Sequence, residues 1–162
     1  MEPRANAFWI VLLSLAIAFL LAIVPFPEWA MNYRPQWVVM VLIYWAMALP
    51  YRVGIGFAWI TGVMVDILEG SMLGLNALAL TVIVYITLNL HQRLRMFSAV
   101  QQSALVLALA GLHMLMVHWM KIATDQTVSS DLFFLLGALS SAFLWPWVFV
   151  SLRQLRVGFG VS

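Results

Sequence analysis

Long apolar runs, broken by single charges, prolines and short polar clusters, dominate the chain, and their lengths predict six membrane helices. The first run covers about residues 8–24 and stops at Pro25 and Pro27. The second lies between Pro35 and Pro50, at 36–49, and the others cover about 53–68, 73–90, 103–120 and 132–152. Connections are short throughout, with no low-complexity linker and no internal repeat. The pattern therefore reads as one transmembrane domain over residues 1–162, an all-α polytopic membrane protein with little mass outside the bilayer.

Composition supports a lipid solvent. Hydrophobic residues make up 65% of the 162 and charged residues 9%, against about 25% charged in a soluble domain. Several Trp residues sit at run ends, among them Trp9, Trp37, Trp119, Trp145 and Trp147, where amphipathic rings settle at the headgroup level. The net charge of +2 comes from cations scattered singly between apolar runs. They form no basic patch for nucleic acid and read as topology markers. With no cysteine, disulfides, thiolate metal sites and thiol catalysis are excluded. The N-terminus begins like a signal peptide, but its run continues to Val24 and meets Pro25, Phe26, Pro27 and Glu28 instead of a small-residue cleavage site. It reads as a retained anchor.

Cytoplasmic loops carry the excess of Lys and Arg. If all six segments span, Arg4, Arg52, Arg93, Arg95, Arg153 and Arg156 share one side and Arg34 and Lys121 the other. Both termini are then cytoplasmic. The second segment is the weak span, since residues 36–49 reach only about 21 Å as a helix. A full crossing is favoured and a re-entrant segment is the alternative. The alternative keeps the C-terminus cytoplasmic and moves the N-terminus.

In the third segment Gly54, Ala58, Gly62, Asp66 and Gly70 recur every four residues and so share one helix side. In lipid, helices associate through backbone approach at small residues, which makes this stripe a packing seam, within the protein first and toward a partner subunit second. Asp66 on the stripe is costly in hydrocarbon, by roughly 2.5–3.5 kcal/mol. It either reaches the outer interface beside Glu69, pairs with Arg34, His113 or His118, or serves a proton relay or ligand. Gly70 and Gly74 permit a tight turn into the fourth segment. Ala104, Ala108 and Gly111, and Gly137, Ser140 and Ser141, suggest packing in the last two segments. His113 and His118 are five apart, a poor spacing for a shared metal. No nucleophile with a base, paired acids or phosphate-cradling glycines appear, so no catalytic residue, cofactor site or metal site is assigned. Pro146 lies inside the last segment between Trp145 and Trp147, and the group reads as a local kink locked by its rings, or as a partner contact.

Several of these residues, taken in order, are similar to the rod shape-determining protein MreD family. They are Arg34-Pro35-Gln36-Trp37 after the first span, Tyr44-Trp45, Ala48-Leu49-Pro50 before Arg52, Gly62, Asp66, Gly70, Leu73-Gly74, and Leu144-Trp145-Pro146-Trp147 before Arg153. The resemblance covers nearly the whole chain. It implies a non-enzymatic component of the bacterial inner membrane that binds MreC directly. Through MreC it would join MreB, the RodA glycosyltransferase and its partner transpeptidase, which build lateral peptidoglycan and maintain cell shape. It also implies the six-helix fold of the substrate-binding subunits of energy-coupling-factor transporters, so a small-molecule-binding transporter subunit is the alternative function. That alternative predicts a polar cavity near Asp66 and the outer ends of segments two to five.

Overall fold

A computed structural model of the protein describes residues 4–25, 27–29, 35–50, 52–70, 72–124 and 135–158, with side chains from Phe8 onward. These residues form six helices: α1 Arg4–Ile23, α2 Trp37–Ala48, α3 Ile55–Glu69, α4 Leu75–Met96, α5 Ala99–Ala123 and α6 Leu136–Gly158. Helices α4, α5 and α6 are long and apolar enough to cross a membrane. Phe8–Ile23 and Trp37–Ala48 are shorter apolar stretches, and α3, at 15 residues, is also short. Arg34 and residues 132–134 of the sixth segment lie outside the described residues.

Helix α2 is the axis. Every residue from Val38 to Leu49 is buried, because α1, α4, α5 and α6 all pack against it. A helix that is apolar all round is an enclosed one, and α2 shows no preferred apolar side along Trp37–Ala48. Its 12 residues rise only about 18 Å. Enclosure explains how so short a helix is tolerated, since neighbouring helices and not lipid set its surroundings.

Without water, the polar groups of α2 must be satisfied by side chains. At its start, the Gln36 N–H donates to Ser141 Oγ of α6 at 2.8 Å, and that hydroxyl donates to the Gly137 carbonyl. Midway, Trp45 Nε1 donates to Ser14 Oγ of α1 at 2.8 Å, while Ser14 donates to the Val11 carbonyl. At its end, Arg95 of α4 donates from Nε to the Met47 carbonyl at 3.0 Å and from a terminal nitrogen to the Ala48 carbonyl at 2.9 Å. These carbonyls belong to the last turn, which has no intrahelical partner and carries the negative end of the helix dipole. Arg95, read from the sequence only as a topology marker, thus caps α2.

Several boundaries differ from the sequence reading. Helix α4 runs past residue 90 through His91, Arg93 and Arg95 to Met96, since Gln, Arg and Leu favour helix and basic residues suit a last turn. Helix α5 begins at Ala99 behind a capping box in which Ser98 and Gln101 each bond the other's backbone N–H. Helix α6 continues through Arg153 and Arg156 to Gly158.

The α3–α4 hairpin is the most extensive pairing. Ala58, Gly62 and Asp66 of the stripe are buried against α4, and a Cβ at Gly62 would stand 2.2 Å from Ala77 Cα. Gly54 and Gly70 instead cap α3, and a Cβ on either would meet nothing within 4 Å. The seam therefore spans the middle of the repeat only, because its two ends fall where the helix stops. On α5 the buried side is Gln102, Val106, Leu109, Ala110 and His113, so Ala104 and Ala108 face outward.

Gly62→Ala is expected to lower stability by about 1–3 kcal/mol, because the obstructing atom is backbone. Gly56→Ala, with open space around it, is expected to raise stability by up to ~1 kcal/mol through helix propensity. Thermal unfolding of the two variants in detergent checks the opposite signs.

Candidate functional site

The polar groups outside the α2 axis concentrate where α3 turns into α4. Gly70 and Gly74 both hold positive φ, 68° and 106°, and reverse the chain at small backbone cost. The turn brings the start of α4 onto Asp66, which is fully buried. Its Oδ2 accepts the Gly74 N–H at 2.9 Å, and its Oδ1 accepts the Asn76 N–H at 3.0 Å and the Asn76 side-chain amide at 2.9 Å. Two of these donors are backbone N–H groups at the α4 N-terminus, where donors lack helical partners and the dipole favours an anion. Hydrogen bonds to a charged group contribute about 1.5–3 kcal/mol each, enough together to offset the insertion cost of a carboxylate. Asn76 also donates to Glu69 Oε2 at 3.2 Å.

Asp66 is thus enclosed, not hydrated at the interface as one sequence reading allowed. Asn76 is the partner that the sequence reading missed. A short polar residue two positions after a turn glycine, opposite an acid, is the signal that could have found it. His113 of α5 lies within electrostatic reach of Asp66. It is 5% exposed, and neither ring nitrogen has a hydrogen-bond partner. Arg34 falls outside the described residues, and His118 sits half-buried farther along α5.

Beside this clamp a cavity of about 500 Å³ opens between the ends of α1 to α5. Gln36, Glu69, Asn76, His113 and Lys121 supply polar groups, while Phe19, Val39, Val65 and Leu80 are among its apolar walls. Among the described residues, no three His, Cys, Asp or Glu side chains gather as a metal-binding group.

The Trp145-Pro146-Trp147 group divides across the surface of α6. Trp145 is core, not headgroup belt: it is 1% exposed and its Nε1 donates to Gln102 Oε1 at 3.3 Å. Gln102 in turn donates to the Leu94 carbonyl at 2.8 Å, which ties α6 to α5 and α4. Pro146 sits inside the unbroken helix. Trp147 is 59% exposed, and its ring lies 5.3 Å from that of Phe143. With Leu139 and Val150, also exposed, these rings form an outward apolar ridge.

The family profile described as rod shape-determining protein MreD matches residues 3–155. The chain belongs to the MreD family. The rod shape-determining protein MreD of Haemophilus influenzae is 35% identical to it, over 96% of each chain. No solved structure matches. An MreD-family protein with long apolar helices is an integral membrane protein of cell-shape determination. For this MreD-family chain the clamp, the cavity beside it and the α6 ridge are candidate features for function.

Asp66→Ala removes the acceptor for three donors and is expected to lower unfolding stability by at least ~3 kcal/mol. Asp66→Asn, which keeps one carbonyl acceptor, is expected to fall between Asp66→Ala and wild type. Equal stability of all three in a thermal or denaturant melt would show that the clamp does not hold the hairpin.

Proposed function

We propose that this protein is a non-enzymatic scaffold of the elongation complex in the bacterial inner membrane. It docks the single-span helix of MreC, and through MreC helps to organise MreB, RodA and its partner transpeptidase in lateral peptidoglycan synthesis. In this reading all six helices cross the membrane, both termini are cytoplasmic, and the bundle is similar to the substrate-binding subunits of energy-coupling-factor transporters. The observation that carries it is the α6 ridge. Leu139, Phe143, Trp147 and Val150 stand outward on one side of the helix, backed by the anchored Trp145. Residues 139–150 cover about 16 Å of helix, a rigid aromatic strip of the kind that a partner helix can pack on.

Co-purification with MreC from native membranes in mild detergent tests the reading. Wild type is expected to recover MreC. The double variant Phe143→Ala, Trp147→Ala is expected to recover it at least about tenfold less, as for loss of a hot-spot aromatic pair, with little change in melting temperature since both rings point outward. Recovery unchanged in the double variant would remove the ridge as the docking surface. No MreC from wild type would sink the scaffold reading itself.

The cavity beside Asn76 favours a second reading, a small-molecule-binding subunit of a transporter. Its volume of about 500 Å³ falls within the usual range of ligand sites. Thermal stabilisation by a vitamin-sized ligand, abolished by His113→Phe, would favour this reading. No shift across such ligands would count against it.

A further inference from the structure

A second cavity, of about 340 Å³, lies at the opposite, cation-rich end of the bundle, between the ends of α2, α4, α5 and α6. Its polar wall holds Tyr44 and three guanidinium groups, those of Arg95, Arg153 and Arg156, and its apolar wall includes Met47 and Phe149. Among the described residues, no Asp or Glu lines it. Arg95 is fixed by its bonds to the Met47 and Ala48 carbonyls, which leaves it further N–H donors. Arg153 and Arg156 make no hydrogen bond or ion pair among the described residues, yet both lie within electrostatic reach of the Tyr44 hydroxyl. Gln102, also in the wall, is already spent on the Leu94 carbonyl and Trp145.

The Tyr44 hydroxyl points to a ligand independently of the arginines. The residue is 1% exposed, and its ring is held edge-on by Trp45 at 5.2 Å and Phe149 at 5.5 Å. The buried oxygen has no hydrogen-bond partner. A fixed, unsatisfied O–H donor is costly, and clustered guanidinium groups repel one another unless an anion sits among them. Every unsatisfied group in this cavity can donate, and guanidinium forks match the oxygens of a phosphate.

We infer that this cavity, built from Tyr44, Arg95, Arg153 and Arg156, binds a phosphate group. The apolar wall of Met47 and Phe149 beside the donors suits an amphiphile, so the source is the headgroup of an anionic phospholipid. In the proposed orientation this is the cytoplasmic leaflet, where basic pockets between helices meet anionic lipid. The inference rests on that orientation only for the leaflet, not for the binding.

Native mass spectrometry of the delipidated full chain, offered dioleoyl phosphatidylglycerol or dioleoyl phosphatidylcholine, tests it. Wild type is expected to retain phosphatidylglycerol in preference. Each of Arg153→Gln and Arg156→Gln is expected to reduce that retention about fivefold, and Arg93→Gln, an exposed α4 cation outside the cavity wall, to leave it unchanged. Tyr44→Phe separates binding from folding. It removes an unsatisfied hydroxyl and so raises the melting temperature of the lipid-free protein while it lowers retention. A parallel melt with inorganic phosphate distinguishes the sources. Stabilisation of wild type but not of the arginine variants, without a lipid preference, identifies free phosphate as the ligand. If the variant that carries both Arg153→Gln and Arg156→Gln retains phosphatidylglycerol as wild type does, or if neither lipid nor phosphate is bound in preference, the site is refuted.

Discussion

Helix α2 is enclosed by protein on all sides, and a polar group in such a place has no water to fall back on. That constraint organises the rest of the bundle. A 12-residue helix with exposed ends would be a poor membrane element. Here Ser141, Ser14 and Arg95 satisfy its start, its Trp45 and its last carbonyls from three different helices. Each contact is a hydrogen bond of modest net strength, but each would leave a buried orphan if lost. The neighbours are therefore held in register by what α2 needs, and apolar packing fills in around those fixed points.

The same logic governs the α3–α4 hairpin. A carboxylate in hydrocarbon is unfavourable alone, and the α4 N-terminus in hydrocarbon is unfavourable alone. Asp66 satisfies both problems at once. Close approach at Gly62 and Ala77 brings the two helices near enough for that exchange. The polar residues of this MreD-family chain are thus largely occupied in holding helices together, which leaves the outward helix faces as the broad surface that a membrane partner meets. Among the described residues two places break that pattern, each with unsatisfied polar groups beside a cavity: His113 near the Asp66 clamp and Tyr44 among the arginines.

The six apolar runs were legible because hydrophobic length is a strong signal, and the positive-φ turn was legible because two glycines flank it. The Gly62–Asp66 seam followed from four-residue spacing. The spacing could not say where the helix would end, so Gly54 and Gly70 were counted as seam when they are caps. Trp145 and Trp147 looked alike in sequence, two positions apart, yet opposite sides of one helix send the first to the core and the second outward. Ser14, Asn76, Arg95 and Gln102 were overlooked for a common reason. Their partners lie on other helices, from 7 residues away in sequence for Asn76 to 48 for Arg95, and no local pattern records such distances.

The central claim is that α2 is shut away from lipid. Carbene footprinting of the protein in bilayers with a membrane-soluble diazirine, read by peptide mass spectrometry, measures this directly. The account predicts strong labelling at outward residues such as Leu20, Ile60 and Phe143 and essentially none across Val38–Leu49. Labelling of that segment at the level of Leu20 would contradict it, and with it the enclosed axis on which the bundle is built.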